Sequence, residues 1–126
     1  MNKLIFFTSH ISSAIEVTDY EGKERRAIIW QNISKPRAVD VDPVEGLIFY
    51  TDWGVPAHLG RADMDGGNWM TLLENNHGSG SDQVIWPNAM VIDHPNKNIY
   101  WMDANLHSIG ELYFSLSLLF YSHSAI

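Results

Sequence analysis

Four aspartates with regular spacing are the residues of this sequence best suited to chemistry. Asp42 and Asp93 lie 51 residues apart, and so do Asp52 and Asp103. Carboxylates gathered at one site could bind calcium or act as an acid and a base in catalysis. Carboxylates at strand ends could instead accept backbone N–H groups that the strands leave unpaired. The structural role is favoured, because residues that recur once per repeat seldom form one catalytic centre.

Two histidines and one asparagine are further candidate site residues. None of the six histidines has the His-x-His or His-Glu-x-x-His spacing of a metal site. We predict that His58 and His107 lie in matching loops, where they could sense pH, although surface histidines without a role are the simpler alternative. Asn32 begins an Asn-Ile-Ser triplet, the acceptor pattern for N-glycosylation of an extracellular loop. These residues predict no cofactor and no metal site.

A repeat positions these candidate residues. Segments 4–9, 47–52 and 98–103 resemble one another in their apolar and aromatic residues, and segment 36–42 resembles segment 87–93. Pro36 and Pro87 each precede their aromatic pair by 13 residues. The interval from segment 47–52 to segment 98–103 is longer than the interval from segment 4–9 to segment 47–52. Residues 76–82 account for the difference, and we predict that this polar, glycine-rich insertion is a mobile surface loop.

The repeating unit has the pattern of β-strands. Its apolar runs are four to six residues long and rich in Ile, Val, Tyr, Phe and Trp, and turn residues follow them. In the middle unit we predict strands at about residues 37–42, 47–52, 59–63 and 69–73. Four short antiparallel strands repeated every 40–50 residues are typical of one blade of a β-propeller. We therefore predict an all-β fold.

Composition restricts the class of partner. The 126 residues are 45% hydrophobic and carry a net charge of −7. These values favour a packed core over disorder, and basic protein partners over nucleic acid or anionic membranes. The longest apolar stretch, residues 112–121, is shorter than the roughly 20 residues that span a bilayer, so we predict no direct membrane insertion by this segment. Cysteine is absent, which excludes disulfides within this chain.

Segments 49–52 and 100–103 resemble the Tyr-Trp-Thr-Asp signature of low-density lipoprotein receptor class B repeats. The resemblance covers residues 3–110 and includes the proline before each signature and the Asp65-Gly66 turn after the middle one. The signature positions, with the aspartates that end the preceding strands, are Phe49, Tyr50, Thr51, Asp52, Tyr100, Trp101, Asp103, Asp42 and Asp93. Two residues depart from the pattern: Ser9 replaces aspartate, and Met102 replaces threonine.

This resemblance implies a six-bladed propeller in an extracellular or cell-surface receptor for endocytosis or signalling. It implies protein ligands, neighbouring EGF-like modules and further blades, and no enzyme activity. We predict four-stranded antiparallel blades in a partial propeller: residues 3–110 supply a partial, a complete and a partial blade, and residues 111–126 form an apolar tail outside the repeat. Two alternatives remain: a calcium-dependent, lactonase- or synthase-like enzyme propeller, and a truncated fragment without function.

The two signature aromatics of a blade should point to opposite faces, because side chains alternate along a strand. Each ring can then pack against a different neighbouring blade. The first and third blades are incomplete, so we expect apolar residues on their open sides to remain exposed. These residues are Phe6, Phe7, Ile28, Ile29, Tyr100 and Trp101. Exposed apolar faces and open edges recruit other chains, so we expect the isolated chain to be poorly soluble, to form assemblies or to fold only with partner blades.

Overall fold

The computed structural model describes residues 3–75, 84–114 and 119–125, and within them it shows eleven strands and no helix. Sheet one contains β1 (Leu4–Ser9), β2 (Ala14–Asp19) and β3 (Arg26–Ile29). Sheet two contains β4 (Pro36–Asp42), β5 (Leu47–Asp52), β6 (His58–Asp63) and β7 (Met70–Glu74). Sheet three contains β8 (Pro87–Asp93), β9 (Asn98–Asp103), β10 (Ser108–Phe114) and β11 (Leu119–Ala125). Each strand pairs antiparallel with the next strand of its sheet, which confirms the all-β prediction.

Sheet two confirms the predicted strands of the middle unit. The strand predicted at residues 47–52 is β5 with the same bounds, and the bounds of β4, β6 and β7 differ from the prediction by no more than one residue. Short apolar runs between turns define these strands well, because both ends carry residues that favour turns. The insertion predicted at residues 76–82 lies outside the described residues.

Sheet three differs from the prediction of a partial blade followed by a tail outside the repeat. Strand β10 continues to Phe114, and β11 pairs with it from Ser108–Ala125 to Phe114–Leu119. The third sheet therefore has four strands, although residues beyond 110 lack the repeat pattern. The physical reason is that a ladder is formed by backbone N–H and C=O groups, so an apolar segment can pair without matching the motif.

The two aromatics of the central signature pack against different sheets. Phe49 lies in a core between sheets two and three, with its ring 4.5 Å from the ring of Phe114. Tyr50 lies in a second core, between sheets one and two, beside Ile15 and Ile29. Both aromatics are fully buried, and they lie on opposite faces of β5, as the alternation of strand side chains requires. The sheets are therefore held together by apolar packing on both faces of sheet two.

Large rings in these cores require small residues on the adjacent strand. Gly60 pairs with Tyr50, and Gly110 pairs with Trp101. A Cβ atom at either glycine would overlap the paired ring. These glycines are therefore explained by close approach of an aromatic side chain rather than by backbone conformation.

The prediction of wide exposed apolar surface on sheets one and three was wrong for three residues, and a fourth, Phe6, is half-buried against the core between sheets one and two. Ile28 and Ile29 are buried against sheet two, and Trp101 is 2% exposed in the core between sheets two and three. Trp101 points toward sheet two by the alternation of strand side chains, whereas Ile28 and Ile29, adjacent on β3, both reach the core because the pairing of β2 with β3 shifts register there. Phe7 and Tyr100 lie on the opposite faces and are half-buried.

Candidate functional site

Asp52 binds three backbone N–H groups at one end of sheet two. It is fully buried and ends β5. Its Oδ2 accepts the N–H of Ser34 at 2.7 Å, and its Oδ1 accepts those of Lys35 at 2.8 Å and Gly54 at 2.6 Å. The carboxylate therefore fastens the segment that enters β4 to the end of β5. We call this arrangement the aspartate clamp.

Asp103 makes a second aspartate clamp one repeat later. It is 1% exposed and accepts backbone N–H groups at 2.7–3.0 Å, from Ile85, Trp86, Asn105 and Leu106. Ser9 holds the same position in sheet one, and its hydroxyl accepts the N–H of Ser12 at 3.2 Å. The two clamps use their carboxylates for backbone hydrogen bonds that hold the blade ends.

Asp42 joins a turn to a cation of the neighbouring sheet. Its buried carboxylate accepts the N–H groups of Val44 and Glu45 at 3.1 and 3.2 Å. Lys97, the residue before β9, donates to Asp42 Oδ2 at 3.2 Å and to Glu45 Oε1 at 3.1 Å. This ion pair links sheet two to sheet three. Asp93 is the equivalent of Asp42 in sheet three, and its carboxylate accepts hydrogen bonds from Asn96.

Burial by itself would raise the pKa of Asp42, because a carboxylate loses hydration in the interior. The hydrogen bonds from the Glu45 backbone and from Lys97, the Lys97 charge and the Val44 N–H outweigh burial and hold the pKa below its ordinary value. Because the folded pKa is lowered, the unfolded chain binds more protons in acid. The stabilisation is therefore complete above the unfolded pKa, about 3.9, and is lost as pH falls through the folded pKa.

We expect Asp42→Asn to reduce the dependence of the free energy of unfolding on pH in acid. The variant should be less stable than the wild type near neutral pH, and the difference should shrink as pH falls below about 4. Urea denaturation followed by tryptophan fluorescence at pH 7, 4 and 3 would measure how the free energy of unfolding of each protein changes with pH. A difference in the free energy of unfolding that stays constant over this pH range would show that the charge of Asp42 does not stabilise the fold.

The other signature residues have structural contacts. Thr51 is buried, and its hydroxyl accepts the N–H of Ala38 at 3.1 Å. Tyr100 donates its phenolic hydrogen to Glu111 Oε1 at 3.0 Å. Burial raises the pKa of the Tyr50 phenol to about 12, and the Asp52 charge adds to this shift. The clamp aspartates and the signature aromatics therefore serve the blades and their packing.

A group of aromatic and polar side chains lies at the end of sheets two and three where the clamps are found. Trp53 follows Asp52 and stacks on Trp86, with ring centroids 5.9 Å apart. The Arg37 guanidinium lies 4.2 Å from the centroid of the Trp53 ring and donates to Asn88 Oδ1 at 3.4 Å. Trp86 is 47% exposed. We call these four residues, Arg37, Trp53, Trp86 and Asn88, the tryptophan cluster.

The tryptophan cluster was not predicted from the sequence, because its members come from different repeats. Their link to the clamps is visible only in the structure: the N–H of Trp86 is bound by Asp103, and the indole N–H of Trp53 donates to the carbonyl of Pro87 at 3.1 Å. The clamps and this indole bond fix the backbone on which the cluster stands. A tryptophan directly after one signature and another directly before the next proline is the sequence pattern that could have revealed it.

The two histidines do not occupy matching loops. His58 is the first residue of β6, pairs with Asp52 and is 3% exposed. His107 lies in an exposed turn with φ of 49°, and the residue that matches His58 in sheet three is Ser108, which pairs with Asp103. The predicted match failed because the loop after the signature is one residue shorter in sheet three. A role in pH sensing stays a prediction.

His58 and Asn32 lie beside one cavity of about 250 Å³ at the clamp end of sheets one and two. The Nδ1 of His58 is 3.1 Å from the carbonyl of Pro56, and its buried Nε2 has no hydrogen-bond partner. Asn32 is exposed with φ of 53°, and its amide donates to Thr71 Oγ1 at 3.4 Å. The exposed position is compatible with glycosylation of Asn32, which stays a prediction.

Over residues 3–75, 84–114 and 119–125, no three His, Cys, Asp or Glu side chains are grouped to hold a metal ion. In the same ranges, none of the structure forms a helix with the length and apolar character needed to cross a membrane.

Comparison with known proteins identifies the repeat. Residues 46–94 match the low-density lipoprotein receptor repeat class B family. The chain is 35% identical over 105 residues to vitellogenin receptor Yl of Drosophila melanogaster and 30% identical over 104 residues to the vitellogenin receptor of Solenopsis invicta. These alignments cover 83% and 82% of this chain but 5% of each receptor. Human low-density lipoprotein receptor-related protein 5-like protein is 27% identical over 105 residues, which is 83% of this chain and 39% of that protein.

Two solved structures support the same fold. A chain of the nidogen/laminin complex is 29% identical, with a TM-score of 0.78 over 87% of this chain and 40% of that chain. A putative 6-phosphogluconolactonase from Bacteroides fragilis has a TM-score of 0.69 over 98% of this chain and 36% of that chain. At 12% identity, the second likeness concerns the fold alone. The chain therefore belongs to the low-density lipoprotein receptor class B repeat family, and its three sheets are blades of the β-propeller type.

Proposed function

We propose that this chain is an extracellular protein-binding module of an endocytic or signalling receptor, and that the tryptophan cluster contacts the ligand. The observation that carries the proposal is the stacked, partly exposed Trp53–Trp86 pair with Arg37 over it. Tryptophan and arginine are enriched among residues that dominate binding energy at protein interfaces. Receptor relatives among the similar proteins support the same class of function.

Rigid support favours this surface over other exposed tryptophans. The cluster stands on backbone that Asp52 and Asp103 hold by hydrogen bonds, so its rings are already ordered before a ligand binds. Ordered side chains lose less conformational entropy on association. Trp30, 62% exposed, follows β3 and belongs to neither clamp. The tryptophan cluster is therefore the better candidate for a preformed binding surface.

The net charge of −7 favours basic protein ligands. Opposite net charge accelerates association mainly by steering the approach of the partners, and salt weakens this effect. In the proposed receptor, neighbouring EGF-like modules and further blades complete the extracellular part. The net negative charge would then attract a basic ligand to the module, and the tryptophan cluster would provide the close contact.

A binding role also accounts better than catalysis for the buried carboxylates. An enzyme propeller, the alternative, would need carboxylates from several blades free to act at one channel mouth. Asp52 and Asp103 instead accept backbone N–H groups, and Asp42 is paired with Lys97. We propose that the chain is not an enzyme.

We expect Trp86→Ala to weaken ligand binding without unfolding the chain. Loss of an aromatic residue at the centre of an interface costs about 2 kcal/mol or more, which corresponds to an affinity reduced about 30-fold. The chain and its Trp86→Ala form would be immobilised and exposed to extracellular fluid proteins, and the retained proteins would be quantified by mass spectrometry. Affinities of the retained proteins would then be measured singly at two salt concentrations.

Trp30→Ala is the matched control, because it removes an exposed tryptophan outside the cluster. The proposal requires proteins that bind the wild type and Trp30→Ala but are lost from Trp86→Ala. Equal retention by all three forms would refute the assignment of the ligand surface to the tryptophan cluster.

A further inference from the structure

A groove lies between the end of β3 and the turn that joins β6 to β7. It has a volume of about 270 Å³ and is lined by residues 28–31 of sheet one and 66–69 of sheet two. Trp30 and Trp69 both line it, and they are 62% and 39% exposed. We call it the rim groove. Both of its sides come from this chain, so it differs from the outward faces of sheets one and three.

Backbone contacts hold the two sides of the rim groove in place. Gly66 has φ of 89° and lies so close to β3 that a Cβ atom would overlap the carbonyl of Ile28. The N–H of Gly66 donates to the carbonyl of Asp63 at 2.9 Å. The N–H of Gly67 donates to Asp65 Oδ1 at 2.8 Å. A turn held by these bonds keeps its shape before a partner binds, which lowers the entropic cost of association.

Two carboxylates meet beside the rim groove. From the position that a Cβ atom of Gly67 would take, Asp65 Oδ1 is 3.0 Å away and Asp63 Oδ2 is 3.8 Å away. A side chain at this position would crowd these oxygens, so the glycine leaves them open to a partner. Across residues 3–75, 84–114 and 119–125, neither aspartate forms an ion pair. The rim groove therefore has an unbalanced negative charge at one edge.

The two tryptophans of the rim groove are available to a cation. Among the residues that the structure describes, neither ring stacks on another aromatic ring or holds a cation. The ring of Trp53, by contrast, already holds Arg37, whose guanidinium lies 4.2 Å from its centroid. The face of an indole ring attracts cations. The open rings and the unpaired carboxylates of the rim groove therefore favour the same kind of ligand.

The molecule already shows how an aromatic ring and a carboxylate hold one arginine. In sheet one, the guanidinium of Arg25 pairs with Glu16 and lies 5.2 Å from the centroid of the Phe7 ring. A guanidinium suits such a site better than an ammonium, because it stacks on an aromatic face while its edge donates several N–H groups to carboxylates. The rim groove offers the same two elements, and none of its lining residues is an arginine.

We propose that the rim groove binds an arginine side chain of a partner protein, with the guanidinium against the two indole rings and its N–H groups directed to Asp63 and Asp65. The net charge of −7 would favour the approach of such a partner. This inference is independent of the proposed function, because the rim groove shares no residue with the tryptophan cluster. Loss of Trp30 would accordingly leave ligands of the tryptophan cluster bound.

The probe is N-acetyl-arginine amide, and its citrulline analogue is the uncharged control of nearly the same shape. The full chain labelled with nitrogen-15 would be titrated with each compound, and the indole N–H signals would be followed by NMR. We expect the signals of Trp30 and Trp69 to shift, with a dissociation constant about tenfold lower for the arginine probe, as a partly desolvated cation–π contact provides.

Substitution of one carboxylate tests the charge. Asp65→Asn keeps an oxygen acceptor for the N–H of Gly67, so the turn should persist. It should raise the dissociation constant of the arginine probe about threefold, the size of an exposed ion pair. Glu74→Gln is the matched control, because it makes the same change of charge at the far end of β7, and it should leave the dissociation constant unchanged.

A second measurement keeps the proposal falsifiable if the chain assembles at the concentration that NMR requires. At nanomolar concentration, the wild type should be retained on beads densely substituted with arginine and not on beads carrying citrulline. Trp30→Ala should lose most of this retention. Tyr20→Ala, which removes an exposed ring outside the rim groove, should keep it.

Several results would overturn the proposal. These are an equal response to arginine and citrulline, shifts confined to the signals of Trp53 and Trp86, and equal effects of Asp65→Asn and Glu74→Gln. A response of Trp30 and Trp69 to a proline-rich peptide but not to the arginine probe would also overturn it, because aromatic grooves bind such peptides without a cation.

Discussion

Asp52→Ala should lower the free energy of unfolding by roughly 3 kcal/mol. The substitution leaves the N–H groups of Ser34, Lys35 and Gly54 without the acceptor they use in the fold. Each buried N–H left unpaired costs about 1–3 kcal/mol, and partial access of water to the first two keeps the total near the lower bound. Urea denaturation at pH 7, followed by tryptophan fluorescence and circular dichroism, would measure the change.

Asp52→Asn and Asp65→Ala are the informative controls for the clamp. Asparagine keeps one oxygen acceptor, so its effect should be about half that of alanine, whereas Asp65 accepts the N–H of Gly67 at an exposed turn. Because water can replace that acceptor, Asp65→Ala should cost less than about 1 kcal/mol. A similar loss for Asp65→Ala and Asp52→Ala would mean that the clamp contributes no more than a surface turn.

Phe49→Ala should destabilise the chain by about 3–5 kcal/mol, the range for a phenylalanine removed from a packed core. Its ring is fully buried between sheets two and three and contacts Phe114. The loss therefore affects the packing of one sheet on another, not only the stability of β5. Thermal and urea denaturation would measure the loss, and exposure of the core to a hydrophobic dye would show whether sheet three separates.

Tyr20→Ala is the control for ring size, since Tyr20 is 70% exposed. It should change the free energy of unfolding by less than about 0.5 kcal/mol, as surface substitutions usually do. Equal effects of the two substitutions would contradict the placement of Phe49 in the inter-sheet core.

Much of the fold could be predicted because the repeat carries its own periodicity. Pro36 and Pro87 mark the start of equivalent strands, and the alternation at Phe49 and Tyr50 predicts two buried faces for the central blade. The pairing of β11 could not be predicted, because a ladder of backbone hydrogen bonds leaves no motif in the side chains. The repeat thus determines which residues form blades but not where pairing stops.

Less of the candidate site than of the fold could be predicted from the sequence. That strand-end aspartates could accept backbone N–H groups follows from chemistry, whereas the pairing of Asp42 with Lys97 depends on how two sheets meet. The match of His58 with His107 failed because spacing along the chain ignores a one-residue change in a loop. The stacking of Trp53 on Trp86 joins two repeats, so no single repeat contains it.

The sequence separation of these contacts implies an order of folding events. The partners of the Asp52 clamp are no more than 18 residues away, whereas the Lys97–Asp42 pair joins residues 55 apart. Closing a shorter loop costs less chain entropy, and contacts of short range form earlier. Sheets two and three can therefore each nucleate by their own clamp, and their docking through Lys97 follows, as in other chains built from repeats.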